Sequence, residues 1–578
     1  MRCAILLSSL FCMALAQGQT TLTGRVVDAQ DGSPLGFATV AVLGTTYGAI
    51  TNAEGWFELR GLTDLDSLRI SYVGYVTRRA SVADLPGDGT ITLARALHGL
   101  PEFNVVVDDR LYRRVVHAAR KLRKAPPVKA RAFFGMETFA DTMPVEMMHA
   151  YFSASYYAAR LEVLELKQGR IGVVPLNDRL YINYNTTRAF ALFDVLAEGT
   201  LFPASPLSAS SPRLLQRSYE VELVSVGSGK DGVDHLRVTP RKAGNRAFAL
   251  DLWLSAEGDL VRALELSCTS CGKHPFRPLF DHGRIDTVDM RIRQTWSTQG
   301  QALPEVMQLD YRMVYSGPGF TETFRTSAVL HAFDRSGPFI TPLFEYPGEL
   351  PDYRKLGWLP EDTAFWARTA APLPTARQQR DRAFLEQNDL RTGDWPEQLD
   401  NKRNFFGAHY AVWSAEKRMV IKDLATIQEK PPATRLNARG TGYIMEPALD
   451  PVELVAQLYL DLDTVKGRLV HFSATVLDGF RTHDFSVRQP WTACFHNIWF
   501  DLCEVERQAM ERRLSAPGVT LTQARAIHSE YKDKVRSMTA RYLKETRNGS
   551  IPEALFPWNR RVYDALRIDN CKLFGVSP

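Results

Sequence analysis

The chain has 578 residues, of which 45% are hydrophobic and 23% charged, and its formal net charge is +5. A chain of this length should form about three or four domains, and its apolar content is typical of globular proteins, which excludes wholesale disorder. The charge excess is too small to predict binding to nucleic acid, which needs a strongly basic surface.

The first sixteen residues predict a cleaved secretory signal peptide. Arg2 provides one positive charge, an apolar run extends from Cys3 to Ala16, and Ala14 and Ala16 form a small-residue cleavage site. This run is too short to span a bilayer, and no later stretch of the sequence is long and apolar enough for a transmembrane helix. We therefore expect an exported protein that has no transmembrane helix.

Residues 20–97 have the pattern of a small β-sandwich. Ala38, Val40 and Val42 recur at every second position, and Leu68 and Ile70 repeat that spacing, so each strand should have one buried face. Clusters of glycine, proline, asparagine and aspartate separate such runs at intervals of roughly 8–12 residues, as in all-β domains. No helical period fits this stretch.

Seven short pieces of this stretch carry a resemblance to a known family: residues 24–28 (GRVVD), 34–35 (PL), 38–40 (ATV), 44–45 (GT), 48 (G), 51–57 (TNAEGWF) and 71–75 (SYVGY). In this order they resemble the carboxypeptidase-regulatory-like domain, a prealbumin-type sandwich of seven strands. The resemblance implies an exported protein of a Gram-negative cell envelope, in the periplasm or associated with the outer membrane. The same module precedes TonB-dependent outer-membrane receptors and accompanies some zinc carboxypeptidases. It is non-catalytic there, which implies a supporting or docking role.

A basic connecting helix is predicted over residues 108–124, before the helix-breaking Pro126-Pro127. Val115, Ala119 and Leu122 share one face, while arginines and lysines from 110 to 124 cover the rest. Two interpretations remain open: the charges form a solvated face, or the helix contacts acidic lipid or an acidic protein.

Residues 128–335 predict a large antiparallel β domain. Phe248, Leu250, Leu252 and Leu254 alternate with other residues, and the turn at 256–259 sends the chain back through another apolar strand. Consecutive long hairpins of this kind form antiparallel sheets with one buried face. One alternative is a half-barrel that cups a lipid or another apolar ligand.

Beyond this domain the sequence becomes mixed and then helical. Prolines and aromatic residues in 336–400 predict a connector that is packed on a surface. Apolar residues at helical spacing predict helices over 499–514 and 520–547, paired as an antiparallel hairpin. Asp450-Pro451 can begin another helix, and the segment 458–470 fits helix or strand. Segments 164–170, 500–507 and 544–549 resemble uncharacterised bacterial envelope proteins that begin with the same module, and this resemblance implies no activity.

The predicted fold class is multidomain α+β, with an N-terminal seven-stranded β-sandwich, a β-rich antiparallel middle domain and a mixed, then helical, C-terminal region. The predicted boundaries are a signal peptide at 1–16, the sandwich at 20–97, the basic helix at 108–124, the antiparallel β domain at 128–335, the Pro/aromatic connector at 336–400 and an α-rich domain at 401–578.

One group of residues has the chemistry of a metal site. Cys268, Cys271, His274 and His282 have the spacing C-x2-C-x2-H-x7-H, with Asp281 beside the last histidine. Thiolates and imidazoles suit zinc, but the spacing fits no standard zinc ribbon or finger. In an oxidising compartment the alternative is a disulfide between the two cysteines. Zinc is therefore a secondary prediction, and we predict no other cofactor.

The remaining motifs favour no catalytic centre. None of the twelve histidines has a glutamate three residues later, so the zinc-carboxypeptidase pattern is missing from the sequence. The stretch 227–232 matches G-x-G-x-x-G, but a strand pattern follows it, which predicts a hairpin turn. Six residues in the last third of the chain could act as general acids or bases if they came together: His471, His483, Asp484, His496, Glu504 and Glu506. The sequence alone does not predict that they meet.

We therefore predict an exported cell-envelope protein with a non-catalytic binding or structural role, whose partner is an envelope protein or an apolar ligand. Two alternatives are retained. The first is a metal-dependent hydrolase or redox protein that uses the cysteine–histidine group. The second is an accessory subunit of a TonB-dependent outer-membrane transport system.

Overall fold

The structure is a computed structural model. It describes residues 20–387, 410–418 and 451–577, apart from residues 46, 64, 100–108, 159, 175–182, 200, 228–231, 243, 279–281, 297–302, 318, 347–349, 358, 370, 466, 480, 485 and 487. Backbone contacts divide the chain into two units. Unit 1 comprises Met1–Phe339 and Thr363–Arg391, and unit 2 comprises Ile340–Asp362 and Thr392–Pro578.

Unit 1 begins with the predicted β-sandwich. Its seven strands are β1 (Thr20–Asp28), β2 (Thr39–Val42), β3 (Gly48–Ile50), β4 (Trp56–Leu62), β5 (Ser67–Ser71), β6 (Arg78–Ser81) and β7 (Thr90–Leu93). They form one sheet in the order β4-β1-β7 and another in the order β3-β2-β5-β6. Val26, Phe57, Leu59, Leu68 and Ile70 are buried in the core of this module. The predicted seven-stranded sandwich is therefore confirmed.

The turn before β4 depends on a glycine. Asn52 accepts hydrogen bonds through Oδ1 from the backbone N–H groups of Glu54 and Trp56, both at 2.9 Å. Gly55 then adopts φ +82°, and a Cβ at this position would lie 2.6 Å from the carbonyl oxygen of Val26. Because residues with a side chain rarely adopt this conformation, the turn requires glycine.

Asp28, at the end of β1, is a buried carboxylate. Asp28 accepts hydrogen bonds from the Tyr75 hydroxyl at 2.6 Å, the Gln30 backbone N–H at 2.6 Å and Arg95 Nε at 2.5 Å. These hydrogen bonds, led by that of Tyr75, lower the pKa of Asp28 to about 2. The ionised form of Asp28 therefore stabilises the folded module.

The centre of unit 1 is an open sheet of eleven strands in the order β11-β10-β9-β18-β17-β16-β15-β14-β13-β12-β8. Its strands are β8 (Leu97–Gly99), β9 (Val128–Ala140), β10 (Met143–Tyr157), β11 (Arg160–Val173), β12 (Tyr219–Gly227), β13 (Val233–Pro240), β14 (Ala249–Ser255), β15 (Val261–Cys268), β16 (Arg284–Thr295), β17 (Val306–Gly317) and β18 (Phe320–Asp334). All neighbouring pairs are antiparallel. We call this sheet the large sheet.

Two details of the large sheet bear on the sequence predictions. Strand β8 follows the module directly and pairs with β12, so it joins the module to the large sheet. Strands β12 and β13 pair as antiparallel neighbours, which confirms a hairpin across 227–232, although residues 228–231 lie outside the described residues.

The two faces of the large sheet differ. On the first face, Tyr311 and Phe324 pack with Phe276 and Tyr184, with ring centroids 4.3 Å apart for Phe276–Tyr311 and 5.8 Å apart for Tyr184–Phe324. On the second face, Tyr151 packs with aromatic residues of the segment after 362, at 5.1 Å from Phe365 and 5.2 Å from Trp366. Phe365 and Trp366 of the predicted connector therefore pack on the second face of the large sheet.

The α-helices of unit 1 among the described residues are α1 (Asp109–Arg123), α2 (Thr186–Leu192), α3 (Pro212–Ser218), α5 (Thr363–Arg368) and α6 (Ala376–Gln387). Helix α4 (Asp352–Leu356) belongs to unit 2. Helix α1 uses several of its basic residues within the unit. Arg114 pairs with Asp234 at 2.8 Å and with Asp259 at 2.7 Å, and Arg123 donates to the Leu207 carbonyl at 3.1 Å. These contacts favour an internal role for much of the basic strip, and contact with acidic lipid stays a prediction.

Unit 2 combines a small sheet with a helical hairpin. Its strands are β19 (Tyr410–Val412), β20 (Val452–Glu453), β21 (Ala456–Val465), β22 (Arg468–Asp478) and β23 (His483–Asp484), and its later helices are α7 (Thr492–Leu514), α8 (Leu521–Thr546), α9 (Leu555–Leu566) and α10 (Asn570–Leu573). The start of α7 meets the end of α8, since the Tyr542 hydroxyl donates to the Phe495 carbonyl at 2.8 Å. The predicted antiparallel helical hairpin is therefore present.

Two predictions of where a helix begins are wrong. The segment after Asp450-Pro451 forms the short strand β20, and the segment that fitted helix or strand forms the hairpin β21–β22. Helix α7 begins at Thr492 and not at Trp499. Its first turns are buried on every side from Cys494 to Phe500, so they lack the amphipathic period that marks a helix in sequence. None of the helices within the described residues has both the length and the apolar character needed to cross a membrane.

We expect Gly55→Ala to lower the free energy of unfolding by about 1–3 kcal/mol, because the new Cβ meets backbone and the φ angle is unfavourable. Gly61→Ala is the matched control, since Gly61 has φ +75° but no atom lies within 4 Å of the place that its Cβ would occupy. Urea denaturation of both variants measures the difference. Equal losses would contradict the packing argument at Gly55.

The Asp28 carboxylate also predicts a pH dependence. Its pKa of about 2 in the folded state lies below the ordinary value of about 3.9, so its contribution is present above pH ~4 and is lost as the pH falls towards ~2. We expect the free energy of unfolding to fall less steeply over this window in Asp28→Asn than in the unmodified protein. Parallel urea titrations at several pH values test this, and identical slopes would contradict it.

Candidate functional site

A cavity of about 700 Å³ lies over the second face of the large sheet, across β15 to β18 and the end of β9. Helix α6 contributes Arg377 to its rim. The charged side chains that line the cavity are Arg291, Arg312, Arg325, Arg377, Asp141, Asp289 and Asp310. All of these residues belong to unit 1.

Strand register arranges these charges in two rows. In the first row, Arg291 of β16 lies opposite Asp310 of β17, which lies opposite Ser327 of β18. In the second row, Asp289 lies opposite Arg312, which lies opposite Arg325. Alternate residues of a strand share a face, so both rows point to the same side of the large sheet.

The charged side chains of the first row have hydrogen-bond partners within the large sheet. Arg291 Nε donates to Glu265 at 2.7 Å, and the Ser327 hydroxyl donates to Asp310 at 2.6 Å. Burial raises the pKa of Asp310 above its ordinary value, although the Ser327 hydrogen bond and the charge of Arg291 act against this. Asp310 is therefore a partly desolvated carboxylate whose negative charge is compensated locally.

The helix that borders the cavity is also held by an ion pair. Arg377 lies 3.0 Å from the buried carboxylate of Glu137, and its guanidinium stacks 4.6 Å from the ring centre of Phe139. Burial raises the pKa of Glu137, while the charge of Arg377 lowers it. Removing Arg377 would leave this carboxylate buried without its partner.

The second row contains two arginines side by side. Arg312 and Arg325 are direct cross-strand partners, and like charges in such positions destabilise a sheet. Arg312 lies 3.6 Å from one carboxylate oxygen of Asp289, and the other oxygen accepts the Ser270 backbone N–H at 2.8 Å. Arg325 is exposed and forms no ion pair with any residue that the structure describes. Two neighbouring guanidinium groups suit an anion such as a carboxylate or a phosphate. Each guanidinium can donate two hydrogen bonds to such an anion.

The residues predicted as a metal site lie at the edge of this cavity and beyond it. Cys268 and Cys271 are joined by a disulfide, and Cys268 lines the cavity. The His274 ring lies 5.9 Å from Phe276, and burial lowers its pKa. His282 is exposed just before β16, and Asp281 lies outside the described residues. A zinc site here would need the thiolates that the disulfide consumes.

The potential metal ligands that the structure describes are dispersed. Within the described ranges, no three His, Cys, Asp or Glu side chains meet as a group that could hold a metal ion. The zinc site remains a prediction from the sequence.

Part of the acid–base group predicted in the last third of the chain comes together in unit 2. His496 Nε2 lies 2.9 Å from Asp484, and the Ser486 hydroxyl donates to the same carboxylate at 2.6 Å. Burial lowers the pKa of His496, against the influence of Asp484. Glu504 belongs to a different network, in which it accepts from Thr475 at 2.7 Å and from Arg507 at 2.8 Å. His496 and Asp484 therefore form one hydrogen-bonded contact, and Glu504 belongs to another.

Sequence reasoning missed the arginine pair, although a signal was present. Gly317 lies opposite Phe320 in the β17–β18 hairpin, and in the sequence the dipeptide Pro318-Gly319 between them marks a turn. Counting outward from such a turn fixes the register and makes residues 312 and 325 cross-strand partners. Without that register, the charged positions of each strand have only the pattern of a solvated face.

Comparison with known proteins identifies the first module. Residues 22–105 match the sequence profile of the CarboxypepD_reg-like domain. This confirms the resemblance found in the sequence. No curated protein matches the chain.

Several solved structures are weakly similar to the chain. The MucA/MucB complex of Pseudomonas aeruginosa shares 8% identity over 38% of this chain and 93% of that chain, with a TM-score of 0.15. A LolA superfamily protein from Nitrosomonas europaea shares 11% identity over 43% and 100%, with a TM-score of 0.14. A DUF1329 family protein from Desulfovibrio piger shares 10% identity over 40% and 94%, with a TM-score of 0.17. TM-scores this low carry no conclusion about the function of this chain.

The arginine pair predicts an unusual stability effect. We expect Arg325→Thr to raise the free energy of unfolding by about 0.2–1 kcal/mol, because it removes a like-charge cross-strand contact. Arg284→Thr is the matched control. Arg284 is also an exposed strand arginine, but it lies opposite Ser316 and pairs with Asp286. Urea denaturation that shows equal gains in the two variants would refute the repulsion argument.

Proposed function

We propose that this protein is an exported cell-envelope protein with a non-catalytic binding role, and that the cavity on the large sheet binds an acidic segment of a partner protein. The observation that carries the proposal is the direct cross-strand pairing of Arg312 with Arg325 inside the cavity. An anionic group between the two guanidinium groups would relieve this repulsion and could accept hydrogen bonds from both arginines.

Export is supported by two features of the sequence. The first sixteen residues have the form of a signal peptide, and a CarboxypepD_reg-like domain follows at residues 22–105. The resemblance of that module to modules of outer-membrane receptors favours the periplasm or the outer membrane as the final location.

The contacts of the module favour a supporting role. Glu54 accepts the backbone N–H of Ala376 at 3.2 Å, at the start of the helix that carries Arg377. Arg60 donates to the Ala367 carbonyl at 2.8 Å, and the Thr39 hydroxyl donates to Glu305 at 3.2 Å. The module thereby holds the segment after 362 against the large sheet, and it contributes to the position of the cavity rim.

The charge pattern favours a protein segment over a simple polyanion. Asp289 and Asp310 lie beside the arginines, so the cavity presents both signs of charge within two neighbouring strands. A polyanionic headgroup or nucleic acid would be repelled by these carboxylates, whereas a protein segment can present acidic and basic side chains in the complementary order. The volume of about 700 Å³ lies within the usual range for bound ligands.

Site-specific photo-crosslinking in intact cells tests the proposal. A benzophenone side chain replaces Thr142, an exposed residue on the cavity rim, and in a parallel strain it replaces Leu65, which is 84% exposed on the module. We expect a discrete protein adduct from position 142 and not from position 65. Mass spectrometry of the adduct identifies the partner.

Charge reversal makes this test specific. Arg312→Glu and Arg325→Glu should each reduce the adduct at least tenfold, because breaking a charge-assisted contact commonly costs more than about 1.4 kcal/mol. Arg284→Glu, on the same face of the sheet but outside the cavity lining, should leave the adduct unchanged. An adduct that survives both reversals, or that consists of lipid, would overturn the proposal.

A further inference from the structure

Two buried cysteines of unit 2 lie next to each other although 77 positions separate them in the sequence. The Cys494 and Cys571 sulfur atoms are 3.9 Å apart, and both side chains are buried. Cys494 lies in the first turn of α7, and Cys571 lies in the short terminal helix α10. The third cysteine of the unit, Cys503, is nine residues further along α7, roughly 13–14 Å from Cys494 along the helix axis.

We propose that Cys494 and Cys571 form a disulfide bond in the exported protein. A disulfide requires sulfur atoms at about 2.05 Å, so the two sulfurs, now 3.9 Å apart, need to approach by about 2 Å. The bond would fasten the C-terminal helix to the beginning of α7. This inference rests on the export that belongs to the proposed function, because disulfides persist in oxidising compartments.

The surrounding contacts hold the two cysteines in this arrangement. Asn570 donates to Asp501 of α7 at 2.7 Å, and its backbone N–H donates to Asn559 of α9 at 2.9 Å. Asp569 accepts the Lys572 backbone N–H at 3.0 Å and so begins the short helix. These hydrogen bonds fix the residue next to Cys571 independently of the sulfur atoms. The two thiols are therefore brought together by the fold itself.

The chemistry is a thiol–disulfide exchange with an external disulfide, such as that of an envelope oxidoreductase. One cysteine thiolate attacks the external disulfide, forms a mixed disulfide and releases one external thiol. The second cysteine thiolate then attacks the protein sulfur of that mixed disulfide, forms the Cys494–Cys571 bond and releases the second external thiol. Two protein thiols are oxidised, one external disulfide is reduced, and the two protons of the protein thiols pass to the released external thiolates. Because both cysteines are buried in the folded unit, the external disulfide reaches the first cysteine before the C-terminal segment is packed, and docking of α10 onto α7 then brings the second thiolate to the mixed disulfide.

Peptide mapping of protein recovered from the cell envelope tests the bond. After alkylation in denaturant without reductant, tryptic digestion should yield the peptide 489–507 linked to the peptide 568–572, and reductant should separate them. The first peptide contains Cys494 and Cys503, so two variants assign the bond. The linked species should persist in Cys503→Ser and disappear in Cys494→Ser. Alkylated Cys571 in the unmodified protein would overturn the proposal.

The N-terminus of the same sample separates the two proposals. A chain that begins near Gln17 and carries alkylated Cys571 refutes the disulfide while the export remains supported. A chain that retains Met1 refutes the export. In that case the protein is unfolded and refolded in the presence of oxidised glutathione, and formation of the linked peptides supports the pairing, while their absence overturns it.

Discussion

The register of the β17–β18 hairpin is the constraint on which the candidate site depends. Each strand of an antiparallel sheet has two faces, and a shift of one residue exchanges them completely. With Gly317 opposite Phe320, Tyr311 and Phe324 enter the apolar first face, while Arg312 and Arg325 are brought together on the second. The burial of the large aromatic side chains therefore fixes the position of the arginine pair. The sheet cannot relieve the repulsion of the arginines by slipping, because a slip would expose the core.

The second face of the large sheet is built by segments that are distant in sequence. Tyr151 packs with Phe365 and Trp366, and the Arg170 guanidinium lies 4.1 Å from the ring centre of Trp366. The stacked aromatic and cationic groups attach the segment after 362 to the large sheet, and the hydrogen bond from Ala376 to Glu54 attaches it to the N-terminal module. The module, the large sheet and α6 thus share one continuous set of contacts. Through these contacts the N-terminal module takes part in forming the cavity.

The sequence predicts the elements with regular periods and fails where burial removes the period. Ala38, Val40 and Val42 recur at every second position and are all buried in the core of the module, so this strand could be predicted from its period. The beginning of α7 could not, since residues 494–500 are all buried and show no polar face. The candidate site was missed for another reason: opposite charges on adjacent strands are common on solvated faces, and only the register distinguishes Arg312 beside Arg325 from such a pattern. The register requires a pairing between strands, which is information about tertiary structure.

In unit 2 a single carboxylate connects segments that no periodic pattern relates. Asp501 is 1% exposed, and it accepts hydrogen bonds from Trp413 at 2.7 Å, Arg418 at 2.9 Å and Asn570 at 2.7 Å. A buried charge is tolerated only when it is paired and hydrogen-bonded, so each of these three segments must be in place for the others to be stable there. Because Asn570 directly precedes Cys571, this requirement also positions the Cys571 sulfur. The short terminal helix is thus held by a desolvated ion pair and its hydrogen bonds, and a covalent bond at Cys571 would strengthen an arrangement that this network already specifies.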